Sequence, residues 1–378
     1  MEALRVVVVT CVLVAATKAW PQPSPATTDD VSAQLADIVR RHDLPGMVAA
    51  VIQGDQVVAT GAAGVRIRGG RDRVTLADQF HIGSCTKAMT ATLCAMLVEE
   101  GKLRWDSTIG GVFPDAKAVH PDFRKVTLEQ LLNQRSGAPG SVDDALWASL
   151  WAPKGLAARR KVLETVFARP PASKPGTQYV YSNFNYALAG HMAETVAHKP
   201  WEELMREKLF RPLGMTSAGF GAPRDAGSTR QPRGHTSDGK PVEPTEVASD
   251  NPPAIGPAGT VHCSVGDWAK FVMLHLQAER GKPRLLKAET FKKLHSPPEG
   301  SPYAMGWLVG PSPLGEGVAL SHAGSNRMWF VVTWVLPESD VAVLIMCNEG
   351  EPGAAVEKAC DEAGGLLLRR QVERGKPK

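Results

Sequence analysis

Ser84 and Lys87 are the residues of this chain whose types and spacing could do chemistry; they open the run SCTKAMTATLCAMLVEEGKL. A serine and a lysine three apart at the start of a helix share one face, about a turn from each other. That brings an amine within reach of a hydroxyl and sets the hydroxyl at the positive end of the helix dipole. A desolvated lysine there sheds its proton and acts as a general base, turning an inert serine into a nucleophile. Free lysine titrates at about 10.4, so the site has to lower that by roughly three pH units to work near neutrality.

Spacing alone does not decide the matter, because the same offset recurs at Ser237-Asp238-Gly239-Lys240. A Gly- and Pro-rich stretch surrounds that second pair, and no helix follows to fix its hydroxyl against its amine. Ser84 instead follows Phe80-His81-Ile82-Gly83, an extended apolar approach ending in glycine, and precedes a strong helix. The bland alternative for Ser84 is a helix-capping serine.

The elements that must position the pair come from both ends of the chain. Val31 to Arg41 reads as an amphipathic helix preceded by Asp29 and Asp30. Met47 to Ile52 and Gln56 to Thr60 flank Gln53-Gly54-Asp55 as a hairpin. Met305 to Val309, Val318 to Ser321, Met328 to Leu336 and Val341 to Cys347 read as strands, and a final helix runs from Pro352 to about Arg370. Between them lie helical segments at Thr127 to Asn133, Pro200 to Leu209, Ser264 to Gln277 and Ala288 to Leu294. The expected fold class is α+β. One antiparallel sheet is built from 29–110 and 295–372 and flanked by helices, with 111–294 as a helical insertion and 373–378 as a tail. Residues 222–258 are rich in Gly, Pro, Ser and Asp without periodicity, which predicts a loop on a cleft rim.

Composition excludes several classes of function. At 378 residues and 43% hydrophobic, the chain can bury a full core. A net charge of +4 over that length gives no electrostatic case for nucleic acid. The ten histidines are scattered with no H-E-x-x-H motif, and no C-x-x-C pair exists, so neither metal nor another cofactor is expected. Residues 1–19 read as a secretory signal, with Arg5, an apolar VVVVTCVLVAA core and a small-residue end at Thr17-Lys18-Ala19. Residues 20–28 follow as a linker, and a periplasmic or secreted location is expected. No other segment is long and apolar enough to span a bilayer, and cleavage would leave an odd number of cysteines, five.

Two more motifs complete the set. Tyr181-Ser182-Asn183 lies in GTQYVYSNFNY, and His322-Ala323-Gly324 lies in LSHAGSNRMWF. In this order and at these separations, S-x-x-K, Y-x-N and H-x-G resemble the penicillin-recognising serine hydrolases. That family includes class C β-lactamases, serine DD-peptidases, D-aminopeptidases and related esterases. Supporting matches are Leu209 to Met215 and Gly256-Pro257-Ala258-Gly259.

The resemblance implies an acyl-enzyme mechanism without metal or organic cofactor. Ser84 would attack, Lys87 would act as base, and Tyr181, able to become a phenolate in a cationic site, would relay protons. Asn183, two along an extended chain from Tyr181, would hold Lys87 and a substrate carbonyl. Gly324 would let substrate pair with the strand edge, and the N–H groups of Ser84 and Ser325 would form the oxyanion hole. His322 would face the leaving or carboxylate side, only partly charged at neutral pH. Gln134 is expected as a polar wall residue, and His81-Ile82-Gly83 as backbone geometry. β-Lactamases of this family usually carry Lys-Thr-Gly at the third motif. His322 and Ala323 remove two carboxylate contacts, so ester or amide hydrolysis with weak or no β-lactamase activity is expected. The alternatives are a true class C-like β-lactamase or a non-catalytic peptidoglycan- or penicillin-binding sensor. The implied partner is a small-molecule or short-peptide ester or amide; the sequence does not fix the oligomeric state.

Overall fold

The computed structural model describes residues 28–375 apart from 153, 225–229, 316 and 351–354. The expected leader at 1–19, all of the linker but Thr28, and Pro352 lie outside the described residues.

Strands run in chain order as β1 (Asp29–Asp30), β2 (Gly46–Gln53), β3 (Gln56–Gly64), β4 (Gln79–His81), β5 (Gly219–Phe220), β6 (Gly234–His235) and β7 (Pro241–Val242). They continue as β8 (Val261–Ser264), β9 (Tyr303–Ala304), β10 (Trp307–Pro311), β11 (Val318–Ser325), β12 (Phe330–Leu336) and β13 (Val341–Cys347). Eight of them form one sheet in the order β1-β3-β2-β13-β12-β11-β10-β9. All its pairings are antiparallel except β1 with β3. The chain ends therefore meet in the middle of the sheet, where β2 pairs with β13 from Val341↔Gln53 to Cys347↔Met47.

Period-two alternation gives each central strand two apolar faces. Val48, Ala50, Ile52, Ala342, Leu344 and Met346 point into the larger core. Met47, Ala49, Val51, Val341, Val343 and Ile345 point to the other side, against the helices α1 (Ser32–Arg41) and Ala355–Gly375. The larger core is covered by the helices α2 (Thr86–Glu99) and Val265–Glu279. The architecture is α+β, with the sheet between two helical layers. Four tryptophans, Trp201, Trp268, Trp307 and Trp329, are fully buried.

The structure departs from the sequence expectations where burial erases periodicity. Asp29 and Asp30 are not the acidic start of a helix; they form β1 beside Ala59 and Thr60. The helix Asn183–Ala197 was not expected, because its residues from Phe184 to Glu194 are buried all round and show no polar stripe. Its one local signal is Ser182, whose side chain accepts from Phe184 N at 3.3 Å as the N-cap. The helix Leu156–Thr165 was also missed, since it buries Arg159. That guanidinium pairs with Glu194 and, at 3.0 Å, with Glu202. Removing one partner of such a buried pair typically costs about 3–5 kcal/mol. Five cysteines (Cys85, Cys94, Cys263, Cys347 and Cys360) are buried free thiols. Among the described residues no helix is long and apolar enough to cross a membrane.

Candidate active site

The approach to Ser84 is a strand, as its sequence implied. β4 pairs with β8 through Phe80↔Cys263, and Ile82 N then donates to Val261 O at 2.9 Å. Gly83 turns the chain with φ +47°, a left-handed conformation that glycine adopts without steric cost. Ser84 sits in a short 3-10 turn, Gly83–Cys85, that runs directly into α2.

Two glycines let this turn meet the end of β11. A Cβ on Gly83 would lie 2.5 Å from Ser325 N, and one on Gly324 would lie 2.1 Å from Ile82 O and 3.0 Å from Ser84 N. The backbone amides of Ser84 and Ser325 are thereby brought to one crossing of two chains. Gly324 and Ser325 are held in the sheet by pairing with Val331 and Phe330.

α2 is buried on nearly every side, so Lys87 enters the core rather than the solvent. Lys87 is 0% exposed, and its Nζ lies 2.9 Å from Ser84 Oγ, 2.8 Å from Asn183 Oδ1 and 2.9 Å from Ala258 O. All three partners are uncharged. Desolvation without a counter-ion lowers its pKa from 10.5 to about 7. The partner geometry fixes where the lone pair points once the proton is lost. Ala258 O and Asn183 Oδ1 can only accept, so the neutral amine spends both N–H groups on them and turns its lone pair to Ser84 Oγ.

The segments carrying those acceptors are themselves anchored. Thr90 Oγ1 donates to Pro257 O at 2.7 Å, and Thr86 Oγ1 accepts from Val261 N at 3.2 Å. Pro257 packs where Gly190 leaves room, its ring 2.4 Å from where a Cβ would stand. Asn183 is the first residue of its helix rather than part of an extended strand. It reaches Lys87 because the helix start points at α2.

Tyr181 lies beside the pair, its ring centroid 4.7 Å from Lys87 Nζ. Burial raises its pKa above the ordinary value, so the phenol stays protonated and no standing phenolate forms. Here the structure departs from the expected phenolate.

His322 is 5% exposed, with Nδ1 2.6 Å from Ala323 O and Nε2 3.2 Å from the Tyr303 hydroxyl. The short contact to a carbonyl places the ring proton on Nδ1 and leaves Nε2 to accept from Tyr303. Burial, then the nearby Lys87, push its pKa down to about 4, so the ring is neutral rather than partly charged at pH 7. All four tyrosines of the chain gather here: the Tyr186 ring lies 5.8 Å from Lys87 Nζ, and Tyr179 packs against Tyr303 in a tilted arrangement with ring centroids 5.7 Å apart.

Gln134 is not a wall residue. It is 0% exposed, in a left-handed conformation (φ +58°), and its Oε1 accepts from Ser182 N at 3.0 Å and Asn185 Nδ2 at 2.7 Å. It secures the Tyr181–Asn183 segment from beneath. Sequence reasoning missed the Ala258 carbonyl and Tyr303. Ala258 sat inside a motif already noticed, Gly256 to Gly259, but a backbone acceptor leaves no side-chain signal. Tyr303 had none at all. The described residues contain no cluster of side chains able to hold a metal ion.

Comparison with known proteins agrees with this geometry. A model of the Beta-lactamase family matches residues 31–363. The chain is 29% identical over 329 residues to penicillin-binding protein 4 of Amycolatopsis lactamdurans, covering 82% of each. It is 26% identical to the unguisins hydrolase ungD' of Aspergillus campestris, over 74% of this chain and 55% of that longer protein. The octameric penicillin-binding protein homologue of Pyrococcus abyssi shares the fold, with a TM-score of 0.72 and 24% identity over 89% of this chain and 76% of that one. A match across nearly the whole described chain, joined to a serine and lysine in mutual contact, makes it a member of the Beta-lactamase family and one of its serine hydrolases.

Proposed function

We propose that the protein hydrolyses esters or amides through an acyl-enzyme on Ser84, with Lys87 as the base. The observation that carries this is the Lys87 amine, buried among three uncharged partners with its lone pair free only toward Ser84 Oγ. In acylation the Ser84 proton passes to Lys87 Nζ while Oγ bonds to the substrate carbonyl carbon. The amides of Ser84 and Ser325 receive the developing oxyanion. As the leaving group departs, the protonated Tyr181 hydroxyl donates to it and is re-protonated from the Lys87 side, a concerted relay that needs no phenolate. Water then takes the leaving group's place and the same transfers run in reverse.

The third motif supports esters and amides over β-lactams. The neutral His322 has both ring nitrogens engaged within the protein, and Ala323 carries no hydroxyl, so neither offers a grip for a substrate carboxylate. The relative named as an unguisins hydrolase is in keeping with a hydrolytic role.

The test is intact-mass spectrometry after a fluorophosphonate probe, on wild type, Ser84→Ala and Ser237→Ala. One adduct is expected on wild type and Ser237→Ala and none on Ser84→Ala, with ester and D-amino-acid amide turnover exceeding cephalosporin turnover. Labelling of Ser84→Ala would overturn the assignment of the nucleophile. Faster cephalosporin turnover would overturn the substrate class.

A further inference from the structure

The long 222–258 stretch does more than border a cleft: at Ser249, Asp250 and Asn251 it touches three parts of the site at once. Ser249 O accepts from Asn326 Nδ2 at 3.1 Å. Asp250 Oδ1 lies 2.9 Å from His81 Nε2 and accepts from Asn251 N at 2.7 Å. Asn251 Nδ2 donates to Gly259 O at 2.7 Å. Each contact lies at or beside the neighbour of a working atom: Asn326 follows Ser325, and Gly259 follows the Ala258 carbonyl that receives Lys87.

The Asp250 contact reaches furthest. His81 is fully buried, and its Nδ1 accepts from Gly83 N at 3.1 Å. Since Nδ1 is used as an acceptor, the neutral ring carries its proton on Nε2, aimed at the Asp250 carboxylate. Asp250 thus fixes the tautomer, the tautomer fixes the Gly83 amide, and Gly83 is the left-handed residue whose missing Cβ lets Ser325 N approach. We propose that Asp250, acting through His81, is a positioning residue for the oxyanion pair, and that Ser249–Asn251 forms a strap tying that pair to the Lys87 acceptor. The proposal rests on the assignment of Ser84 as nucleophile.

Side-chain isosteres divide the path. Asp250→Asn keeps an oxygen to accept from His81 Nε2, and Asp250→Ala does not. His81→Gln keeps a donor toward Asp250 and loses the acceptor for Gly83 N. Small misplacements of a catalytic group cost up to about 100-fold. Asp250→Ala and His81→Gln are therefore expected to lower kcat on a model ester by about 10- to 100-fold and to weaken benzeneboronic acid, which forms a tetrahedral Ser84 adduct, by a similar factor. KM should stay near wild type and Tm should fall by no more than a few degrees, from the buried hydrogen bond lost at His81. Asp250→Asn should recover most of the loss, and the double variant should be no worse than either single one. A loss of Tm with boronate affinity unchanged would make the strap merely structural and overturn the proposal. Wild type that forms no adduct would instead sink the nucleophile assignment beneath it; a labelled wild type with an unaffected Asp250→Ala would sink this proposal alone.

Discussion

Ser84–Lys87 and Ser237–Lys240 have the same residue types at the same spacing and opposite chemistry. Lys87 is buried beside a serine hydroxyl and two carbonyl-type oxygens, without a counter-ion, and its pKa falls to about 7. Lys240 is exposed in the turn between β6 and β7, paired with Asp238 at 2.7 Å, and that hydrogen bond raises its pKa. Gly239 N donates to Thr236 O and Thr236 N to Lys240 O, so the second motif is a turn that closes on itself. Its serine faces solvent with no base in contact. A serine and a lysine three apart become a nucleophile and a base only where the fold removes water and counter-ions.

The sharpest way to break this contrast is to remove each amine. Lys87→Met is expected to lower kcat/KM by about a thousandfold or more, since it deletes the general base, and Lys240→Met to leave it unchanged. Wild-type kcat/KM should rise about tenfold per pH unit below the Lys87 pKa of about 7 and level off above it, because only the neutral amine accepts the Ser84 proton. A profile flat from pH 5 to 8 would mean that Lys87 is not the base.

A smaller effect separates the glycines of the two regions. Gly324→Ala drives a Cβ to 2.1 Å from the Ile82 carbonyl, a backbone atom that cannot move without parting the Ser84 and Ser325 amides. A loss in kcat of about 100-fold is expected, the order of one oxyanion donor. Gly239→Ala meets the Arg68 side chain at 2.7 Å, away from the Ser84 site, so its cost falls on stability, with backbone strain at φ +78° alone adding roughly 1–2 kcal/mol. Equal kcat losses in both would show that the crossing at Gly324 has no role in turnover.

How much of this was legible in the sequence follows the kind of signal each feature leaves. β13 was readable to the residue because a run of β-branched and apolar residues is bounded by the Pro337–Asp340 turn. The helical segment at Thr127 to Asn133 was legible, and the structure shows it as Leu128–Leu132, capped by reciprocal hydrogen bonds between Thr127 and Gln130. The helix Asn183–Ala197 was opaque because complete burial leaves no polar face to set its period. At the site, the structure brings Ser84, Lys87, Tyr181, Asn183 and the Gly324–Ser325 edge together, with Asn183 on a helix start rather than an extended chain. Gln134 was misread because a polar side chain near a motif can serve the backbone behind it as well as the cleft in front. The Asp250–His81 contact spans 169 positions, and nothing local in either segment announces it.

The smallest effect discriminates best between a lysine that is buried and one that only looks so. The unfolded chain keeps the Lys87 proton up to about 10.5, whereas the folded chain releases it near 7. Between those values the unfolded state binds more protons, so stability rises with pH across the window, and the full cost is present below it. The drop from 10.5 to about 7 sets a ceiling of roughly 5 kcal/mol on that cost. Lys87→Met removes the cost but strands Asn183 Oδ1 and Ala258 O, at about 1–3 kcal/mol each. The two changes nearly cancel at neutral pH, so the Tm of the variant at pH 7 says little. The slope says more: calorimetry from pH 6.5 to 10 should show the wild-type Tm rising by several degrees relative to Lys87→Met, and no such drift relative to Lys240→Met. Parallel curves for wild type and Lys87→Met would mean that the folded protein keeps Lys87 charged, and the difference between the two serine–lysine pairs would then lie in geometry alone.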